Sequence, residues 1–127
     1  MAKILIVEDN PANMKLATML LARVGHVVLS AVDAESGMAL ALAEHPTLIL
    51  MDIQLPGMDG LTAVRILKQN PLTAAIPIIA LTALAMKDDE SKALAAGCDA
   101  YIAKPLSYQA LYAEIDALLA RTAPLPP

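Results

Sequence analysis

The sequence predicts an α/β protein of one domain, in which a five-stranded parallel sheet is covered by helices on both faces. Residues 47–52 form an unbroken apolar run that ends on Asp52 and is followed by the turn formers Pro56 and Gly57. An apolar run of this kind, without alternation, is typical of a strand buried on both faces. Four more apolar runs alternate with helical segments, which favours parallel strands joined by right-handed crossovers.

The first half of the chain contains two predicted strands and two predicted helices. The strands cover residues 3–7 and 26–30, and the helices cover residues 11–24 and 34–44. Asn10 is the expected N-cap of the first helix, with Pro11 at its first position, and Asp33 is the expected N-cap of the second. Gly25 ends the first helix and Pro46 ends the second.

The second half continues the alternation after the central strand. The expected elements are helix 61–69, strand 78–81, helix 87–96, strand 100–103 and a last helix that begins after Ser107. Pro71 breaks the first of these helices, and Gly97 is the expected left-handed cap of the second. The domain is expected to cover residues 1–121, and residues 122–127 are expected to form a short Pro-rich tail.

Apolar periodicity predicts which helix faces pack on the sheet. The expected inward side chains of the first helix are Leu16, Met19 and Leu20, and those of the last helix are Leu111, Ile115 and Leu118. Arg65 and Lys68 are expected on the solvent side of the third helix. The three tyrosines, Tyr101, Tyr108 and Tyr112, are expected on or near one face, where they are either ordinary half-exposed side chains or part of a partner surface.

Composition and charge exclude several classes of function. The net charge is −4, with nine Lys and Arg against thirteen Asp and Glu, and no basic run is present, so direct nucleic-acid binding is not expected. No apolar stretch approaches the roughly 18 residues of a membrane span, and no signal peptide precedes the first strand. The single Cys98 cannot form an intrachain disulfide and is expected to be a small buried hydrophobe. A cytoplasmic protein is therefore expected.

Polar side chains occur at the ends of four of the five predicted strands. Glu8 and Asp9 follow the first strand, Asp52 ends the third, Thr82 follows the fourth and Lys104 follows the fifth. Each residue alone has a simpler explanation as a helix cap or a solvated loop charge. Together, however, they meet at one edge of a parallel sheet, where the carboxylates would repel one another without a cation. Oxygen ligands of this kind suit Mg²⁺.

This combination of residues is suited to the chemistry of a phosphoryl group. The carboxylate of Asp52 can attack phosphorus to form an aspartyl phosphate, provided that positive charge neutralises the phosphoryl oxygens. Mg²⁺ and Lys104 would supply that charge, and the hydroxyl of Thr82 could donate a hydrogen bond.

Four segments of the sequence resemble the receiver domain of bacterial two-component response regulators. These segments are residues 5–10, 48–60, 79–83 and 97–105. The resemblance extends from about Lys3 to Arg121 and implies a doubly wound, flavodoxin-like fold with strand order 2-1-3-4-5. Within the family the sequence is most similar to single-domain, DivK-like regulators, and residues 13–16 and 85–87 contribute to that narrower similarity.

The resemblance also implies roles for the residues at the strand ends. Asp52 would be the phosphoacceptor. Asp9 and Asp52 would bind Mg²⁺ together with the backbone carbonyl of Gln54, and Glu8 would assist through water.

The remaining implied roles concern the phosphoryl group and the signal. Lys104 would bind the phosphate, and the peptide bond between Lys104 and Pro105 is expected to be cis. Thr82 and Tyr101 would form the switch pair.

The resemblance implies a phosphoryl-accepting signalling switch that catalyses only its own phosphorylation and dephosphorylation. The donor would be a histidine kinase or a histidine phosphotransferase. The phosphorylated form would change the binding of a protein target or relay the phosphoryl group. The target would bind the face formed by the fourth helix, the fifth strand and the fifth helix, which carries Lys87, Lys92, Tyr101, Tyr108 and Tyr112.

Two other classes of protein share parts of this pattern. A flavodoxin-like cofactor-binding module has the same sheet order, but its phosphate loop after the first strand is rich in Ser, Thr and Gly, and Glu8 and Asp9 would repel a phosphate there. An Mg²⁺-dependent phosphohydrolase with an aspartate nucleophile would have a second carboxylate two residues after Asp52, where this sequence has Gln54. A flavin colour would support the first alternative, and turnover of phosphate esters would support the second.

Overall fold

The computed structural model describes residues 2–82 and 87–122, and in these ranges strands and helices alternate along the chain. The strands are β1 (Lys3–Val7), β2 (Val27–Ala31), β3 (Leu48–Asp52), β4 (Ile78–Thr82) and β5 (Ala100–Ala103). The helices are α1 (Pro11–Arg23), α2 (Ala34–Glu44), α3 (Gly60–Gln69), α4 (Lys87–Ala96) and α5 (Tyr108–Thr122). Some residues named in the sequence analysis lie outside the described ranges, namely residues 83, 85 and 86 and the tail residues 123–127.

The five strands form one parallel sheet in the order β2-β1-β3-β4-β5, which confirms the predicted topology. In register, Val7 lies opposite Met51, Asp52 opposite Leu81 and Thr82 opposite Ala103. The last residues of β1, β3, β4 and β5 therefore lie within two positions of one another across the sheet. Whatever follows these strands is brought to one edge.

The core has two layers because successive side chains of a strand point to opposite faces. Leu5, Ile49 and Met51 pack on one face, against apolar residues of α2, α3 and α4. Ile4 and Leu50 pack on the other face, against apolar residues of α1 and α5. All five residues of β3 are buried, as expected for a central strand covered on both faces.

Side-chain caps fix the start of three helices. Asn10 accepts a hydrogen bond from the backbone N–H of Asn13 at 3.1 Å, and Asp33 accepts one from Ser36 at 2.7 Å, which confirms both predicted caps. Asp59 caps α3 in the same way, through Thr62. Gly97 has φ 114°, which confirms the predicted left-handed position after α4.

The predicted inward face of α5 is confirmed, and that of α1 is wrong for Leu16 and Met19. Leu111, Ile115 and Leu118 of α5 are all buried. On α1, in contrast, Leu16 and Met19 are 40% and 59% exposed. The buried residues of α1 are Ala17 and Leu21, and Leu20 is half-buried against the same core layer. Because Ala17 and Leu21 face the sheet, the side chains of Leu16 and Met19 point away from it.

The prediction that Lys68 faces solvent is also wrong, whereas Arg65 is exposed as expected. The ammonium of Lys68 donates to the carbonyls of Ala74 and Ile76 at 3.3 and 2.8 Å. It also pairs with Asp99 at 3.1 Å. Lys68 therefore links α3 to the segments before β4 and β5.

No helix of the described ranges combines the length and the apolar character that crossing a bilayer requires.

Candidate functional site

The carboxyl edge of the sheet brings together the polar residues that the sequence analysis selected. Asp52 and Thr82 are the last residues of β3 and β4. Glu8 and Asp9 follow β1, and Lys104 follows β5. Because all five strands are parallel and in register, these residues from four strands converge beyond the same edge.

Lys104 bridges two of the carboxylates. Its ammonium lies 2.7 Å from Oε1 of Glu8 and 3.0 Å from Oδ2 of Asp52. Its backbone N–H donates to the carbonyl of Thr82 at 2.6 Å, which continues the pairing of β4 and β5. The peptide bond between Lys104 and Pro105 is cis, as predicted. The side chain is thus directed from the end of β5 back across the sheet toward β3 and β1.

The charges in this cluster shift one another's pKa values. Burial raises the pKa of the Glu8 carboxyl, and the hydrogen bond with Asp52 raises it further, against the lowering effect of Lys104. Burial by itself would lower the pKa of the Lys104 ammonium, but its contacts with Glu8 and Asp52 outweigh burial, so the pKa is raised. Lys104 therefore stays protonated in this acidic site. A single ammonium cannot neutralise all three carboxylates.

Glu8 is held in place from two sides. It is 2% exposed, its Oε2 accepts the backbone N–H of Asn10 at 3.1 Å, and its Oε1 faces Lys104. The direct ion pair of Glu8 with Lys104 was not part of the sequence analysis. A carboxylate buried directly after a strand requires a cationic partner, and this requirement is the signal that could have indicated the pair.

Three carboxylates form a potential cation site. Glu8, Asp9 and Asp52 each offer an oxygen, and these oxygens all lie within 4.8 Å of one another. Glu8 and Asp52 are buried, whereas Asp9 is exposed and open to a cation arriving from solvent. The backbone N–H of Gln54 donates to Oδ1 of Asp52 at 2.9 Å, so the main chain of Gln54 also lies beside the cluster. Oxygen donors in this number and charge suit a hard divalent ion.

The hydroxyl of Thr82 is buried and, among the described residues, lacks a hydrogen-bond partner. Its side chain is only 1% exposed. A buried hydroxyl without a partner is costly, and its donor is free to bind an acceptor. Thr82 is therefore a donor available at the carboxyl edge, next to Asp52 on the neighbouring strand.

Tyr101 lies on the same face of the sheet as Thr82. It is opposite Ala80 in the pairing of β4 with β5, and Ala80 and Thr82 are two residues apart on one strand. A side-chain hydrogen bond with Glu90 of α4 raises the pKa of the Tyr101 hydroxyl. Tyr101 is half-buried. Its hydroxyl is directed toward α4, because it bonds to Glu90.

The three tyrosines are divided between the two sides of the sheet, which the sequence did not indicate. Tyr112 donates from its hydroxyl to the carbonyl of Leu20 in α1 at 2.8 Å. The Tyr108 and Tyr112 rings contact edge to face, with centroids 6.1 Å apart. Tyr101 packs instead in the core layer of α2, α3 and α4. The spacing along α5 could not show this, because α5 and α4 cover opposite faces of the sheet.

The fold and the site together define a class of protein. A doubly wound, flavodoxin-like sheet carries carboxylates, a lysine and a threonine at the carboxyl edge, where ligands of such sheets bind. The chain belongs to the response regulator receiver domain family, whose model matches residues 4–116. It is thus a receiver domain of the two-component type, as the resemblance predicted.

Curated relatives agree with this assignment. The chain is 45% identical over 104 residues to the polar-differentiation response regulator DivK of Brucella ovis, which covers 82% of this chain and 85% of DivK. It is 39% identical over 126 residues to the DNA-binding dual master transcriptional regulator RpaA of Synechocystis, which covers 99% of this chain. The chain spans about half the length of RpaA, 52% of it.

Solved structures also agree. A putative response regulator from Chloroflexus aurantiacus has a TM-score of 0.92 and 31% identity, with coverage of 94% of this chain and 98% of that one. The receiver domain of a sensor histidine kinase from Pseudomonas aeruginosa has a TM-score of 0.87 and 34% identity, with coverage of 94% and 98%. That second structure is described with a magnesium ion coordinated in its active-site cleft.

Proposed function

We propose that this chain is a phosphoryl-accepting signalling switch of the cytoplasm, in which Asp52 takes a phosphoryl group from a histidine kinase or a histidine phosphotransferase. The observation that carries this proposal is how the Asp52 carboxylate is held. Its Oδ2 lies 3.0 Å from the Lys104 ammonium, and its Oδ1 accepts the Gln54 N–H at 2.9 Å. Because both oxygens are held, the carboxylate keeps a single orientation, and a phosphorus atom can be attacked from a defined direction.

Mg²⁺ fits the residues present, because three carboxylates face a single ammonium in the cluster. Asp9, Asp52 and the backbone carbonyl of Gln54 would hold the ion, and Glu8 would assist through water. When bound, the ion supplies positive charge against the phosphoryl oxygens. The magnesium described in the Pseudomonas aeruginosa receiver domain supports this part of the proposal.

In the transfer step, an oxygen of Asp52 attacks the phosphorus of a phosphohistidine. A new bond forms between this oxygen and phosphorus, and the bond between phosphorus and the imidazole nitrogen breaks. The electron pair of the broken bond goes to the imidazole, which takes up a proton from solvent. Lys104 remains beside the product, because its ammonium already lies within reach of Asp52. Water attack on the aspartyl phosphate reverses the signal, so the chain would catalyse only its own phosphorylation and dephosphorylation.

Phosphorylation would be transmitted through Thr82 and Tyr101. The buried hydroxyl of Thr82 would donate to a phosphoryl oxygen, a charge-assisted bond that it cannot make before phosphorylation. Its movement would free space on the face of the sheet that it shares with Tyr101. Tyr101 would then leave Glu90 and turn inward, so that α4 and β5 change their surface.

The altered surface would bind a protein target or accompany relay of the phosphoryl group. The proposed face consists of α4, β5 and α5. Lys92 and Tyr108 are exposed on it, and Tyr101 is half-exposed. Tyr112 is bonded to α1 and is less available than the sequence suggested. The side chain of Lys87 lies outside the described part of the structure.

We further propose that residues 1–121 form the receiver domain and 122–127 a short tail.

The test is the intact mass of the protein before and after incubation with acetyl phosphate and Mg²⁺. The wild type is expected to gain one phosphoryl group, and Asp52→Asn is expected to gain none. Asp116→Asn, which changes an exposed carboxylate of α5, is the matched control and should label like the wild type. Equal labelling of wild type and Asp52→Asn would overturn the proposal.

A further inference from the structure

The first residue of α3 lies directly against the backbone of Asp52. A Cβ atom added to Gly60 would come within 2.7 Å of the Ile53 Cα and 2.9 Å of the Asp52 carbonyl carbon, and it would overlap the Asp52 carbonyl oxygen. All three atoms belong to the main chain. A methyl group at position 60 therefore cannot be accommodated by rotation of a side chain, and either α3 or the backbone at Asp52 must shift.

Space, and not backbone conformation, requires glycine at this position. Among the glycines of the described ranges, Gly25, Gly57 and Gly97 have positive φ angles, but Gly60 does not. Another residue could adopt the backbone conformation of Gly60 without strain. Its Cβ, however, would overlap the main chain of Asp52 and Ile53.

Gly60 contacts the main chain of Asp52 and Ile53, on the side away from the Asp52 carboxylate. The N–H of Ile53 donates to the carbonyl of Leu81 at 3.1 Å, which joins this peptide to β4. The N–H of Gly60 donates to the carbonyl of Ile53 at 3.3 Å. One residue further along, the N–H of Gln54 orients the Asp52 carboxylate. The segment of residues 52–54 is therefore fixed by β4 on one side and by the start of α3 on the other.

Resting on the proposed function, we infer that Gly60 is a positioning residue for phosphoryl transfer. By allowing α3 to abut the peptide between Asp52 and Ile53, it sets the position of the Asp52 carboxylate relative to Lys104. It does not touch the phosphoryl group. Its effect passes through the backbone of residues 52–54 and the Gln54 hydrogen bond to Asp52.

The experiment compares Gly60→Ala with Gly37→Ala. The added Cβ at Gly37 would lie 2.7 Å from Cγ2 of Val7, which is a smaller overlap and one with a side chain of the core. Three quantities are measured: the thermal midpoint, the backbone amide shift of Gln54 by NMR, and the labelling rate across a range of acetyl phosphate concentrations. In Gly60→Ala the Gln54 amide should shift and the maximal rate should fall by roughly 10- to 100-fold, because displacement of a reacting group by about 1 Å has an effect of this size.

The concentration of acetyl phosphate that gives half the maximal rate should change little, since Gly60 does not contact the donor. Gly37→Ala should lose thermal stability but retain the maximal rate and the Gln54 shift of the wild type. Equal maximal rates in the two variants, with the Gln54 amide unmoved in Gly60→Ala, would overturn the inference. If the wild type itself takes no phosphoryl group, the proposed function fails, and the Gln54 amide alone then decides the role of Gly60.

A second pair of variants covers the case in which Gly60→Ala does not fold. Asp59→Ala removes the cap of α3, and Asp33→Ala removes the equivalent cap of α2. Each loses a hydrogen bond that a backbone N–H donates to a carboxylate, and neither adds a methyl group near Asp52. Asp33→Ala also loses the hydrogen bond from the Ser36 hydroxyl, so it is the more disruptive of the two caps to remove. Only Asp59→Ala should lower the maximal rate and shift the Gln54 amide, because only α3 supports Asp52. Equal rates in the two cap variants would contradict the positioning role.

Discussion

The ammonium of Lys104 lies 3.0 Å from the carboxylate of Asp52, although 52 residues separate them in sequence. The same ammonium lies 2.7 Å from Glu8. One cation thus serves two buried carboxylates, and its two possible effects on the site oppose each other. It would compete with a metal ion for the carboxylates, and it would also stabilise a phosphoryl group once that group is attached to Asp52.

The first prediction separates these two effects with Lys104→Gln. Mg²⁺ should bind more tightly to this variant, because the carboxylates lose a competing positive charge. The maximal labelling rate by acetyl phosphate should nevertheless fall by roughly 100- to 1,000-fold, the usual consequence of removing a donor aimed at developing charge. Titration calorimetry measures the affinity, and mass spectrometry measures the rate.

Lys92→Gln is the matched control, since Lys92 is an exposed lysine of α4. It should change neither quantity. Weaker Mg²⁺ binding to Lys104→Gln would show that Lys104 organises the cation site and does not compete with it.

The second prediction concerns Asp9, the exposed member of the acidic cluster. Asp9→Asn should weaken Mg²⁺ binding by about tenfold or more, because a ligand of a hard cation loses its charge. It should leave the thermal midpoint in EDTA almost unchanged, since an exposed side chain contributes little to packing. Calorimetry and thermal unfolding are compared with those of Asp116→Asn. An Mg²⁺ affinity equal to that of this control would exclude Asp9 as a ligand.

The third prediction is a pH dependence of stability from Cys98. Burial, with a further contribution from Asp99, raises the pKa of the Cys98 thiol from 9.0 to about 11. The unfolded chain therefore releases the thiol proton near pH 9, before the folded protein does. The contribution of Cys98 to stability is fully present below pH 9 and is lost as the pH rises toward about 11.

Urea unfolding of the wild type and of Cys98→Ala between pH 7 and about 10.5 tests this linkage. The difference between their free energies of unfolding should be constant below the thiol pKa of the unfolded chain. Above it, the difference should shift in favour of Cys98→Ala. A constant difference over the whole range would contradict a buried thiol with a raised pKa.

The sequence predicted the sheet well because its signals are local. The apolar run that ends on Asp52 has no alternation, which is typical of a central strand buried on both faces. Parallel pairing then brings Glu8 and Lys104 to the same edge of the sheet. The caps at Asn10 and Asp33 were equally readable, since their partners lie three residues away.

The faces of the helices were less predictable. Whether α1 packs through Leu16 or through Ala17 depends on how closely it can approach the sheet, a property of the whole layer. The contacts of Lys68 with Ala74, Ile76 and Asp99 depend on where two loops meet. The closeness of Gly60 to Asp52 likewise appears only when α3 is positioned on β3.

The last prediction concerns how the signal would leave the site through Thr82. Thr82→Ala should fold with only a small loss of stability, because the lost packing of a buried methyl is partly offset by removal of a buried hydroxyl that has no partner among the described residues. It should still accept a phosphoryl group at Asp52. It should, however, lose most of the phosphorylation-dependent change at Tyr101, since the hydroxyl that links the two positions is absent. A preference of ~3 kcal/mol for the switched arrangement after phosphorylation corresponds to a population ratio of roughly 150, and with that preference the change in the wild type should be nearly complete.

The measurement is the NMR spectrum of the Tyr101 ring and backbone amide, with and without phosphorylation. Thr82→Ser is the matched control: it keeps the hydroxyl and should keep the Tyr101 response. A phosphoryl group can shift the two arrangements of Tyr101 only through contacts that differ between them, and the Thr82 hydroxyl is the proposed contact. If fully phosphorylated Thr82→Ala moves Tyr101 as far as the wild type does, the coupling must run through another contact of Asp52, for example through Lys104 and β5.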